Sequence, residues 1–364
     1  MSAGTMTIRE VIEKVKPGTM FIDAATQALE QERVEAGDHK SPWFVRALTA
    51  VSAWLASIMF LVFVYGARII SSSIGSIVLG AMLIAFAVFL RRAQKNNLFL
   101  AQLALALSLA GQALLIMGIG EKMRTAGAAL AAIGMSIALI VLYPDKTHRF
   151  LSTLIAINAA VIFVYDQHIP YGLQVLAVGL AGAAGHVWHY ESSLTAGRMA
   201  PVLRPVAYGL IAGMFLLLIP SGLPPDLRMY VRVTHTWFPA TIALAILLML
   251  LEYRLLSFHK ALGEKRLSLV VFGGTLVLAV ASLKAPGIIA ALFVLALGFH
   301  RGNKIITSIA FAFLTIFLSA YYYNLNITLL NKSYTLLAVG TVLLALRPLL
   351  SSALQNSNKE AAHE

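Results

Sequence analysis

The side chains in this chain that could do chemistry are few, and each sits in apolar surroundings. His186, His189 and Glu191 form a His-x-x-His-x-Glu run. Histidines three apart share one face of a helix and can hold a metal ion together. Trp188 and Tyr190 interleave them, however, and that mixture fits a belt of residues at a membrane–water boundary better than a metal centre. No zinc-protease or acyltransferase histidine motif accompanies the run, so no metal and no cofactor is assigned. Gln102 and Gln112, with Ser108 and Gly111 between them, fall in one apolar stretch. They are candidates to line the interior of a bundle, although neutral polar groups there more often hydrogen-bond a neighbouring helix for a modest gain. Lys284 lies between two short apolar stretches, where its long stem lets the ammonium reach water or an anionic head group. Tyr321-Tyr322-Tyr323-Asn324-Leu325-Asn326 ends another stretch. Three consecutive tyrosines point around most of a helix, so at least one faces protein. With Lys284, Asn324 and Asn326 they are a candidate polar pocket. The alternative is a set of unrelated interfacial anchors.

Carboxylates inside a bilayer mark proton or sodium coupling, because burying the charge is costly. Glu121, Asp145, Asp166, Glu191, Asp226, Glu252 and Glu264 all fall beyond the ends of apolar stretches or within about a turn of them. None is expected near a midplane, which counts against an ion-coupled transporter.

The elements that position these groups follow from composition. Hydrophobic residues make up 59% of the chain and charged residues 12%, against about 25% charged in soluble domains. Mean hydropathy is +0.81. The net charge of +12 fits basic loops beside anionic head groups better than nucleic acid. There is no cysteine, which excludes disulfides, thiol catalysis and cysteine metal sites. About twelve stretches are read as spanning helices, at 43–66, 71–90, 98–119, 125–143, 149–165, 170–188, 202–220, 237–256, 267–283, 286–300, 305–323 and 329–350. Most approach the roughly 20 residues that cross the hydrocarbon core. With the N-terminus inside, cytoplasmic segments hold twenty Lys and Arg and outer loops seven. Both termini are therefore placed in the cytoplasm. The expected fold is all-α, a polytopic transmembrane helix bundle over 43–350. Residues 1–42 form a cytoplasmic arm of two short amphipathic helices, the first opened by the capping box Thr7–Glu10. Residues 351–364 are a polar cytoplasmic tail. The arm carries seven acidic and five basic residues and so suits docking on protein rather than on acidic lipid.

Four tracts together resemble a known family. They are Ser41–Arg46 (SPWFVR), Gln102–Gly118 (QLALALSLAGQALLIMG), Ala285–Ile305 (APGIIAALFVLALGFHRGNKI) and Ser319–Leu350, which begins SAYYYNLNITLLNKSYTLLAVG. The chain resembles, from about Trp43 to Leu350, a bacterial membrane family known as domain of unknown function 4401. The resemblance implies a multi-pass protein of the bacterial inner membrane. It carries over no catalytic residue, because the family has no established activity. Its relatives are often encoded beside other membrane proteins, which implies a complex.

Three functions compete. The first is a non-enzymatic subunit of a membrane complex, with lipids and other membrane proteins as partners. The second is a transporter or lipid-handling protein for a polar or anionic substrate. The third is a lipid-modifying enzyme, ranked last because no acid–base pair is apparent.

Overall fold

The computed structural model describes residues 43–66, 72–93, 98–189, 200–222, 237–258 and 265–324, with the isolated positions Leu330, Ser333 and Leu337. The arm 1–42, the tail 351–364 and all but those three positions of the twelfth expected span lie outside the described residues, as do Glu191 and Asn326.

Every regular element among the described residues is helical. In chain order they are α1 Trp43–Gly66, α2 Ser73–Ala93, α3 Leu98–Leu142, α4 Lys146–Asp166, α5 Gly172–His189, α6 Ala200–Leu218, α7 Phe238–Phe258, α8 Lys265–Ala281, α9 Pro286–His300 and α10 Lys304–Asn324. A single 3₁₀ turn, Ile219–Gly222, prolongs α6.

Six of these helices are long and apolar enough to cross a membrane: α2, α3, α4, α6 with its 3₁₀ turn, α7 and α10. The sequence reading expects about twelve spans, and two physical features account for most of the difference. The expected third and fourth spans are two helices that run together across a kink at Arg124 (φ 59°, ψ −173°), and so fall within the single stretch Leu98–Leu142. Helices α5, α8 and α9 have 18, 17 and 15 residues, short of the roughly 20 that cover the hydrocarbon core.

Glycine sets how closely the helices approach. A Cβ on Gly80 of α2 would lie 2.7 Å from the carbonyl oxygen of Gly111 on α3, and one on Gly118 would lie 2.7 Å from that of Ser73. With no side chains between them, the α2 and α3 backbones touch, which is how helices associate where water supplies no hydrophobic drive. Gly209 and Gly213 bring α6 against Thr153 and Ile157 of α4 in the same way. The larger core lies in the second half of the chain, among α5, α6, α7, α9 and α10. Helix α9 is its centre, with ten of its 15 residues buried. Pro286 starts it, where the missing N–H costs no hydrogen bond. Phe215 of α6 stacks on Phe313 of α10 with ring centroids 4.4 Å apart. A helix enclosed by protein on most sides can be shorter than the bilayer, because protein rather than lipid surrounds its ends.

Candidate functional site

The most concentrated polar chemistry lies between α3 and α4. Ser108 and Gln112 are one turn apart on α3, and His148 and Ser152 one turn apart on α4, so each pair shares a helical face. The faces meet. Ser108 Oγ lies 2.7 Å from His148 Nε2 and Ser152 Oγ lies 3.1 Å from His148 Nδ1. The Gln112 amide nitrogen donates to Ser108 Oγ at 3.3 Å and lies 3.4 Å from His148 Nε2. An amide N–H only donates, so the donor–acceptor balance assigns Nε2 as acceptor and puts the ring proton on Nδ1, directed at Ser152. Ser108, His148 and Ser152 are each 0% exposed. The Tyr143 ring stacks on the imidazole at 3.9 Å, tilted by 14°. Its hydroxyl is buried and meets no acceptor among the described residues. Burial pushes the Tyr143 phenol well above its ordinary range, and the charge of Asp145 adds to the rise.

Three arginines close the turn that carries His148. Asp145 caps α4, accepting from the His148 backbone N–H at 3.0 Å, and Arg91 Nη2 pairs with its other oxygen at 3.0 Å. Arg92 donates to the Leu142 carbonyl. Arg149 donates to the carbonyls of Ile140 and Pro201, both at 2.9 Å. The last carbonyls of a helix lack partners within it. Here guanidinium groups from α2 and α4 supply them, and positive charge suits that end of the α3 dipole.

A serine hydrogen-bonded to a histidine that is oriented by a third side chain has the connectivity of an activated nucleophile. Complete burial removes the access a substrate needs. What the arrangement can do is join helices and fix their register, as buried polar groups within membranes do.

At the opposite end of the bundle, the Tyr321 hydroxyl donates to the Ala281 carbonyl at 2.8 Å, and the Asn324 amide donates to the Gly222 carbonyl. These two side chains of α10 thus bind carbonyls at the ends of α8 and α6. Lys284 is exposed in the turn that follows Ala281, Tyr322 is half-buried, and Tyr323 is 79% exposed. Of the sequence candidates, Tyr321 and Asn324 are therefore brought onto neighbouring chain ends. Gln112 enters the His148 cluster, and Gln102 is half-buried on α3, away from it. His186 is exposed on α5, and the His189 side chain lies outside the described residues.

Glu252 sits deeper than its sequence position indicates. Helix α7 runs to Phe258, two residues beyond the expected 256, so Glu252 lies six residues inside its end, about 9 Å at 1.5 Å per residue. Thr275 of α8 donates to its Oε1 at 2.5 Å, and its Oε2 is buried without a partner among the described residues. His148, Ser152 and Thr275 escaped sequence reasoning. The first two lie in the opening turns of a helix that starts with charged residues, and only the matching i, i+4 spacing on both helices signals the cluster.

Apolar helices joined by close glycine contacts and buried polar ties define a helical transmembrane protein. No curated protein and no solved structure matches the chain. The family model described as Domain of unknown function (DUF4401) matches residues 42–352, and the chain belongs to that family.

Proposed function

We propose that the chain is a non-enzymatic, multi-pass subunit of a protein complex in the bacterial inner membrane. On this reading there are about twelve spans and both termini are cytoplasmic. The merged α3 counts as two spans, the short helix α9 crosses enclosed by protein, and the short helices α5 and α8 cross with one side against protein. The asymmetry of Lys and Arg supports the orientation, and the arginine-clamped α3–α4 turn lies on the side it assigns to the cytoplasm.

One observation carries the subunit reading: the face shared by α7 and α8. A Cβ added at Gly273 or Gly274 would meet nothing within 4 Å, whereas Gly80, Gly111 and Gly118 are all filled by a neighbouring helix. Thr275 follows directly and holds the half-buried Glu252 carboxyl. Small residues beside a membrane-embedded carboxyl form a surface another membrane helix can approach closely. The test is purification of the tagged full-length protein in mild detergent. Gly274→Leu should abolish co-purification of a membrane partner, while Val78→Leu, on the exposed side of α2, should not. A wild-type protein that runs as a lone chain under these conditions would remove the proposal.

The second reading, handling of a polar or anionic substrate by Lys284, Tyr321–Tyr323, Asn324 and Asn326, draws support from the Tyr321 and Asn324 ties beside the Lys284 turn. Lys284→Ala with Tyr322→Phe should then reduce retention of anionic lipid without loss of folded protein.

A further inference from the structure

A cavity of about 390 Å³ opens where the C-terminal ends of α4 and α6 meet the N-terminal ends of α5 and α7. Small-molecule sites span about 300–1,000 Å³. Its apolar walls are built by Ile157, Val161 and Val164 of α4, Leu173 of α5, and Leu216 and Leu217 of α6. Its polar lining comprises Asn158, Tyr165, His168, Tyr171, Gln174 and Trp237. None of the described lining residues is Lys, Arg, Asp or Glu.

Three independent features of this cavity point to an occupant. Trp237 is 5% exposed, and its Nε1–H is buried without an acceptor among the described residues. A buried donor left unpaired is costly, so an acceptor that reaches it from the cavity would recover that energy. Asn158 is exposed twelve residues into the apolar helix α4, where lipid offers it nothing. Its amide nitrogen donates to the Leu154 carbonyl, which leaves Oδ1 available as an acceptor on the cavity wall. The third feature is the rim. His168 (φ 51°) and Tyr171 (φ 58°) both hold left-handed backbone, which is strained for a side chain other than glycine. The His168 Nδ1 lies 2.9 Å from the Asp166 carbonyl, which can only accept, so Nδ1 carries a proton and Nε2 is the remaining polar atom of the ring. Strained residues gather where a rim must keep one shape around a ligand.

The geometry points to an amphipathic lipid as the occupant. We propose that one apolar chain lies along α4 and α6 on the cavity floor, and that an uncharged oxygen, of ester or acid-derived carbonyl type, accepts from Trp237. The lack of charge among the described lining residues places any ionic head group beyond the rim, in water. Tyr165, Tyr171 and Trp237 supply the aromatic girdle usual at that depth. This site is separate from the α7–α8 face, and either can fail without the other.

The test uses the full-length protein in phosphatidylethanolamine vesicles with two photoreactive probes. One is a phosphatidylethanolamine with a diazirine in its acyl chain, and the other is palmitate with the same group. Mass spectrometry locates the label. Gln174, Leu217 and Trp237 are 5–7% exposed and out of reach of surface lipid, whereas Phe86 and Phe89 are 52% and 67% exposed and report it. Label on the first three is expected, and the probe that labels them identifies the source as intact phospholipid or free fatty acid. Val161→Trp, which fills the cavity, should lower that label at least fivefold and leave Phe86 and Phe89 unchanged. Should Val161→Trp not fold, Leu216→Trp alters a lining side chain already 46% exposed and serves the same purpose. Label confined to surface residues with both probes, or cavity label insensitive to filling, would overturn the proposal.

Discussion

Replacing His148 by leucine isolates the polar contribution of the α3–α4 cluster, because leucine nearly fills the imidazole volume. The substitution removes the contacts to Ser108, Gln112 and Ser152 and the Tyr143 stack. Hydrogen bonds between membrane helices average about 0.6 kcal/mol and reach about 1.7. Three of them, with the serines left buried at 0% exposure, give about 2 kcal/mol. An aromatic stack adds about 0.5–1.5, of which leucine packing returns part. The expected loss is about 2–3 kcal/mol. The second arm removes the partners as well: His148→Leu with Ser108→Ala, Gln112→Leu and Ser152→Ala orphans no polar group that the imidazole had satisfied. Apolar replacement of both sides of a buried hydrogen bond is close to neutral, so the quadruple variant should recover most of the loss. Stability is read by titrating the purified protein in mixed micelles with SDS and following tryptophan fluorescence, for which the buried Trp188 and Trp237 are suitable reporters. A single variant within about 0.5 kcal/mol of wild type, or a quadruple variant less stable than the single, would refute the account of the cluster as a helix tie. Labelling of Ser108 by a fluorophosphonate in the folded protein would refute it too, by showing a reachable nucleophile.

Gly111→Leu should destabilise the protein by about 1–3 kcal/mol as overpacking, since its Cβ would meet the Gly80 carbonyl at 2.7 Å. Gly134→Leu, where a Cβ meets nothing within 4 Å, should change little in the same titration. His168→Gly should raise the SDS midpoint by relieving a φ of 51° and lower cavity labelling by removing the rim imidazole; a fall in stability would show that the left-handed backbone is not a strain. Tyr143→Phe should be near neutral below pH 10, because the lost hydroxyl has no partner among the described residues. In the wild type the phenol keeps its proton when folded and loses it near its ordinary pKa of about 10 when unfolded. The unfolded state then binds fewer protons, so stability falls as pH rises above about 10; a midpoint with the same alkaline dependence in Tyr143→Phe would exclude Tyr143 as its source.

The helices were legible because a bilayer imposes length and apolarity on each, and 267–283 against Lys265–Ala281, or 286–300 against Pro286–His300, shows how closely. Span count was less legible. A polar tract such as Glu121–Arg124 reads as a loop, yet one left-handed residue, Arg124, makes the whole interruption. Partnerships were legible only where sequence spacing encodes them. Gln112 drew attention as a polar residue among apolar ones, but its role depends on His148, 36 residues away, and nothing local ties the two. Glu252 shows the same limit from the other side. Its distance from the helix end rests on two residues of α7, while its surroundings rest on Thr275, which is unremarkable in sequence beside Gly273 and Gly274. The cavity is the furthest case, since it is made of what four helix ends leave open. Its only sequence traces are an asparagine deep in an apolar helix and the turn His168–Tyr171. Each has a local explanation until the ends of α4, α5, α6 and α7 are seen to enclose one volume. In a membrane protein with so few polar residues, a group without an evident local partner is therefore the best guide to contacts made in three dimensions.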